Sequence, residues 1–177
     1  MAHAHKLAAV YDLKMIKNKA KKSINQGAVT DDYPLNVEEA CRLLNEALAT
    51  EIMCVLRYRH HQIIAKGLAA PEVAAEFQEH AEDEHKHMMM IADRINQLGG
   101  NPDFNPQTIA ARTATEYGLG VDLKQLIKDD LVAERIAIMV YRKLIDWFGT
   151  GDPTTRRMIE KILKDEEDHA DELADLL

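Results

Sequence analysis

The sequence predicts an all-α fold, a bundle of four long helices with one long crossover between the second and the third. Four segments repeat apolar residues at helical spacing between recognisable cap signals, and two of their connections are short while one is long. Composition agrees: 177 residues, 46% of them hydrophobic, with only 8 glycines and 5 prolines, suit one sizeable core and few helix interruptions.

Residues 1–35 read as an N-terminal extension and 36–177 as the bundle. Residues 1–22 carry Lys6, Lys14, Lys17, Lys19, Lys21 and Lys22 against one acid, Asp12, and an amphipathic helix through Leu7, Val10, Leu13 and Ile16 fits their pattern. The first long helix should open at Asn36, an N-cap with Glu39 three residues on. It runs through Leu44, Leu48, Val55 and Ile63 to Gly67, with Glu51 and Tyr58 on the same stripe. The second opens at Pro71, carries Val73, Phe77, Ile91, Ile95 and Leu98 on the face of Glu84 and His87, and stops at Gly99-Gly100. The third spans about Asp122 to Phe148, with Ile127, Leu131, Ile138, Tyr141 and Ile145 around Glu134. The fourth begins at Asp152-Pro153, a cap followed by proline, and sets Met158, Ile162 and Leu173 around Glu166 and His169. Connections 67–70 and 149–151 imply antiparallel neighbours, whereas residues 99–121 can cross from one end of a bundle to the other.

A formal charge of −8 argues against a surface wholly devoted to nucleic acid, so the lysine excess is a local, N-terminal feature. No apolar run approaches the roughly 18 residues of a membrane span, and Leu7 to Val10 is too short for a signal-peptide core. A cytoplasmic location follows as the expectation. Cys41 and Cys54 share one expected helix at about 20 Å by helical rise, too far apart for a disulfide, and read as reduced thiols.

The chemistry lies in two copies of Glu-x-x-His, Glu84-His85-Lys86-His87 and Glu166-Glu167-Asp168-His169. They follow the apolar-flanked Glu51 and Glu134 by 33 and 32 residues. Three residues on a helix turn through about 300° and rise about 4.5 Å, so each glutamate and its histidine project from one face, one turn apart. Two such pairs plus one glutamate from each of two further helices make a carboxylate-bridged dinuclear metal site. Four carboxylates inside an apolar bundle would repel, and each would lose on the order of several kcal/mol in desolvation, unless cations joined them. Two divalent ions cancel the four charges, and mixed carboxylate and imidazole ligation suits iron or manganese.

The alternative register, Glu82 with His85, shares its face with Gln78, Met89 and Asn96, a mixed surface, and serves the site less well. His80 and Asp83 lie within a turn of Glu84, as a further iron position or as polar surface. Tyr58 and Tyr141 each follow a ligand glutamate, Glu51 and Glu134, by seven residues. Each is either a core tyrosine with a satisfied hydroxyl or a hydrogen-bond and electron donor to the site. Cys54, three residues from Glu51, is either small core filler or a soft ligand or redox relay, and Met88-Met89-Met90 read as packing.

These residues resemble bacterioferritin and its ferritin-like relatives over roughly 36–177. The resemblance runs from Leu43-Leu44-Asn45-Glu46 through Glu51 and Tyr58 to Glu84-His85-Lys86-His87 and Gly100-Asn101-Pro102. It ends in Ile162-Leu163-Lys164-Asp165-Glu166-Glu167-Asp168-His169. The resemblance implies a ferritin-like bundle and a ferroxidase centre of Glu51, Glu84, His87, Glu134, Glu166 and His169. It also implies an electron-donating Tyr58 and an inner-surface iron site at His80 and Asp83. Three departures qualify it. The family's haem-binding methionine would fall at His85, which disfavours haem. The expected fifth helix has no counterpart before Leu177, which sets a 12-subunit shell, as in Dps-type mini-ferritins, beside the 24-subunit one. The basic extension looks more like the tails of DNA-protecting mini-ferritins, although those usually build their site between subunits, whereas this one chain holds every ligand.

The leading expectation is therefore a homo-oligomeric iron-storage or detoxifying ferroxidase that oxidises Fe(II) with O₂ or H₂O₂. A rubrerythrin-like peroxidase or manganese catalase is the second, favoured by the two tyrosines. Against rubrerythrin stand Ala137, where a second glutamate would follow Glu134, and the lack of a Cys-x-x-Cys module. A DNA-binding protein on an assembly scaffold, using residues 1–22, is the third.

Overall fold

The structure, a computed structural model, describes residues 11–25 and 27–177. Six helices and no strand occur among the described residues: α1 Leu13–Lys22, α2 Val37–Ile64, α3 Ala70–Gln97, α4 Pro106–Arg112, α5 Leu123–Phe148 and α6 Pro153–Asp175. The four long helices are the expected ones, and their ends follow from the side chains placed there. Asn36 accepts from the Glu39 amide, Asp122 from Gln125, and Asp152 from Thr154 and Thr155, each supplying an acceptor that a helix start lacks. The expected capping box closes on one side only, because the Glu39 carboxylate turns to Arg42 instead. At the end of α3 the Gly99 amide bonds Asn96 O and the Gly100 amide bonds Ile95 O, with Gly99 at φ +86°. That is the Schellman pattern, which favours glycine at the left-handed position.

Helices α2 and α3, 28 residues or about 42 Å each, form one hairpin, and α5 and α6 form the other. The two hairpins meet through α2 with α5 and α3 with α6. Two apolar clusters fill the bundle. One gathers Leu44, Leu48, Ile91, Ile95, Tyr141, Phe148, Ile159 and Ile162; the other gathers Cys54, Tyr58, Phe77, Leu126, Ile127, Leu131 and Leu173. The acidic positions fall between them in the register of every long helix.

The expected stripe of α2 needs correction. Ile63 is 79% exposed and Val55 only half-buried, while Arg57 and His61 are buried. Ile63 lies about 120° around the helix from Glu51, off the inward face, and its apolar side chain meets solvent. The crossover also contains α4, a helix of 7 residues, too short for a periodic pattern to mark. Asn105 caps it, Pro106 opens it, and Ile109 seats it on the core, with α4 packed against α2.

Before Asn36, Val29, Tyr33 and Leu35 pack against the first cluster, and the Tyr33 hydroxyl donates to Asp152 at 2.9 Å. Asp152 also takes both Arg94 Nη2 contacts, at 3.0 and 2.9 Å, so one buried carboxylate caps α6 and ties it to α3. No residue of α1 is buried, and Leu13, Met15 and Ile16 remain exposed. Leu7, Val10 and Lys6 lie outside the described residues.

Candidate metal centre

Six side chains from four helices converge between the two apolar clusters. Glu51 comes from α2, Glu84 and His87 from α3, Glu134 from α5, and Glu166 and His169 from α6. All six are buried, none more than 3% exposed. They form two overlapping groups, Glu51, Glu84, His87 and Glu166, and Glu84, Glu134, Glu166 and His169, with one ligand atom per residue inside 4.8 Å in each group. Glu84 and Glu166 belong to both, so each could reach two ions held side by side. His87 Nδ1 lies 3.2 Å from Glu166, 3.6 Å from Glu51 and 3.7 Å from Glu84. His169 Nδ1 lies 3.7 Å from Glu84 and 3.9 Å from Glu166.

The donor set fits metal ions. Glu51 Oε2, both oxygens of Glu84 and of Glu166, Glu134 Oε2, and Nδ1 of both histidines are buried without a hydrogen-bond partner. Buried polar atoms are rarely left so, and eight of them facing one another call for cations. The outer nitrogens are engaged. His87 Nε2 lies 3.2 Å from Asp165, and His169 Nε2 lies 3.6 Å from Asp83. Each aspartate immediately precedes the clustered glutamate of the opposite helix, so the crossed pairs orient both rings with Nδ1 inward. Sequence reasoning missed Asp165. Its signal was Asp-Glu repeated at 83–84 and 165–166.

Burial, then repulsion from Glu84, holds the Glu51 and Glu166 carboxyls well above the usual range, and burial raises Glu134. At Glu84 burial is outweighed by the facing imidazoles of His169 and His87, each 3.7 Å away, which depress its carboxyl well below that range. At His169 burial is outweighed by Glu84 and Glu134, and its imidazole is pushed up to about 9. A group raised on folding stabilises fully below its unfolded value, about 6.5 for histidine, and loses that contribution as pH rises through the folded one. Metal ligation needs the same nitrogen deprotonated. The metal-free protein should therefore lose thermal stability between pH 6.5 and 9, and the rise in Tm produced by Mn(II) should grow over that interval. Calorimetric scans with and without Mn(II) check it, and a pH-independent metal effect would contradict the ligand role of His169.

Tyr58 is fully buried and its hydroxyl bonds Glu134, with His80 Nδ1 at 3.2 Å from the phenolic oxygen. Tyr141, its sequence counterpart, is buried with a hydroxyl that has no partner among the described residues. His80 and Asp83 do not meet. Asp83 pairs with Lys86 at 2.6 Å and faces His169, whereas His80 joins Glu76 and Glu172. The rejected register is on the outside, with Glu82 and His85 both exposed. Cys54 packs in the second cluster, and Met88 and Met90 pack against the first.

A buried ionic cluster beside the site went unread. Arg57 Nε donates to Asp130 at 2.7 Å, His61 Nδ1 lies 2.9 Å from the other Asp130 oxygen, and Arg57 Nη1 reaches Glu116 O at 3.1 Å. All three side chains have no exposed surface. They anchor the end of the crossover to α2 and α5.

A ferritin-like domain model matches residues 41–177. The nutrient stress-induced DNA-binding protein of Synechococcus is 28% identical over 142 residues, covering 78% of this chain and 81% of that protein. Bacterioferritin of Mycobacterium avium is 30% identical over 142 residues, covering 76% and 81%. Among solved structures, the bacterioferritin-related dodecameric thioferritin of Bacteroides fragilis superposes with a TM-score of 0.77 at 31% identity, covering 80% of this chain and 85% of that one. Four helices carrying a shared carboxylate and histidine centre, and a domain match across most of the chain, place this protein in the ferritin family.

Proposed function

We propose that this chain is an iron-storage or detoxifying ferroxidase, working in a hollow homo-oligomeric shell in the cytoplasm. The observation that carries the reading is the set of eight buried, partnerless donor atoms on Glu51, Glu84, His87, Glu134, Glu166 and His169. Fe(II) is the substrate: two ions bound there give electrons to O₂ or H₂O₂ and leave as Fe(III). The protein's part is positional. Glu84 and Glu166 hold both ions at one separation, the crossed aspartates keep each histidine's Nδ1 lone pair inward, and the apolar clusters on either side limit water. Manganese fits the same donors, but iron storage accords better with the bacterioferritin relative. A dodecamer accords with the thioferritin neighbour. Stopped-flow oxidation of Fe(II) by the purified oligomer tests the activity, and its absence with both O₂ and H₂O₂ would end the proposal.

Tyr58 donates its hydrogen bond to Glu134, and its proposed role is to supply an electron late in the reaction. Tyr58→Phe should slow a late kinetic phase while leaving the Fe(II) stoichiometry unchanged; weakened binding with unaltered kinetics would remove the redox role. The peroxidase and catalase readings gain less support: Tyr141 does not repeat the engagement of Tyr58, and Ala137 is packed in the apolar core.

DNA binding is a second reading. Lys14, Lys17, Lys19, Lys21 and Lys22 all lie exposed on α1, and one relative is named for binding DNA. Multiplied over a shell, these charges would add avidity and give affinity that falls steeply with salt. Deleting residues 1–22 should abolish DNA retention at low salt and leave assembly unchanged. A deletion that falls apart into dimers would make α1 an assembly element, its exposed Leu13, Met15 and Ile16 packing on a neighbouring subunit.

A further inference from the structure

We propose that Glu76, His80 and Glu172 form a third divalent-cation site that passes ions to the dinuclear centre, a transfer role that rests on the ferroxidase reading above. His80 Nε2 lies 3.0 Å from Glu172 Oε2 and 3.3 Å from Glu76 Oε1, and the three donor atoms sit within 4.8 Å of one another. His80 is 1% exposed and cannot swing away. Its ring stacks on the His169 ring at 4.1 Å and 23°, and its Nδ1 touches the Tyr58 oxygen at 3.2 Å.

That last contact fixes the tautomer. With Glu134 ionised, as metal ligation requires, the single Tyr58 proton is directed at it, and the phenolic oxygen accepts from His80 Nδ1–H. Nε2 then presents a bare lone pair to two carboxylate oxygens. Three lone-pair donors facing each other repel unless a cation lies among them. One imidazole and two carboxylates suit Zn(II), Fe(II) or Mn(II), and leave coordination positions for water.

The place is suited to transfer. The Glu172 side chain is 52% exposed and that of Glu76 32%, so a hydrated ion can reach them from solvent. On its buried side the same site abuts His169 of the dinuclear centre. Asp83, which the family resemblance would pair with His80, is committed to Lys86 and to the outer nitrogen of His169. The cation position therefore lies toward α6, one turn beyond that expected pair.

Zn(II) binding to the metal-free, full-length oligomer, counted per chain after equilibrium dialysis, tests the site. Wild type should hold three ions, Glu76→Gln/Glu172→Gln two, and Glu84→Ala/Glu166→Ala one. Both Glu76 and Glu172 reach the surface, so their exchange leaves the core intact, which far-UV circular dichroism verifies. A Glu76→Gln/Glu172→Gln protein that binds as many ions as wild type overturns the site, whatever the state of the dinuclear centre. Transfer is read from kinetics: the same variant should need about 10-fold more Fe(II) for half-maximal oxidation, with the saturated rate retained. Loss of one ion with no change in that concentration overturns transfer.

Discussion

Glu84→Ala or Glu166→Ala is expected to abolish rapid Fe(II) oxidation and leave the helical fold in place. Each glutamate belongs to both donor groups, so one substitution takes a ligand from both ions. Removing only an outer-shell partner of a ligand typically costs 10–100-fold in affinity or activity, so loss of a shared ligand should cost at least about 100-fold. The fold should not suffer. The metal-free site carries an excess of buried carboxylate, and deleting one relieves repulsion where Glu51 and Glu166 are already driven toward protonation by burial and by Glu84. Stopped-flow absorbance gives the rate and circular dichroism the helix content. Wild-type oxidation in both variants would remove the assignment of the site.

The largest stability effect is expected away from the metals, at Asp130→Ala. It leaves the Arg57 guanidinium, fully buried, without its carboxylate, and removes the partner of His61 as well. Breaking a buried pair on one side costs about 3–5 kcal/mol, which in a domain of this size lowers Tm by on the order of 10 °C. Arg42→Ala is the control. Its two partners, Glu39 and Glu46, are surface groups, and the loss should stay within about 1 kcal/mol. Equal effects at the two positions would show that the buried cluster contributes nothing special.

The long helices and the six converging side chains were legible because their signals are local and periodic. Glu84 and His87 share a turn, Glu166 and His169 repeat it, and Asn36, Asp122 and Asp152 mark helix starts with side chains that do the capping. What escaped depends on partners distant along the chain. Arg57 sits in the polar-looking run Arg57-Tyr58-Arg59-His60-His61, and its burial makes sense only beside Asp130, 73 residues on. His80 finds Glu172 across 92 residues, which turned an expected pairing with Asp83 into a different cluster. Ile63 failed for the opposite reason: an apolar residue off the inward face is ordinary on a protein surface, and periodicity alone cannot mark it as exposed.

One chain is expected to hold two bridged metal ions. Anomalous diffraction at the iron edge, from crystals of the protein soaked anaerobically with Fe(II), tests it most directly. Two peaks about 3.5–4 Å apart are expected within each chain, both touching Glu84 and Glu166, one near His87 and the other near His169. Iron bound between chains, or a single peak that leaves either histidine without a metal, would contradict it.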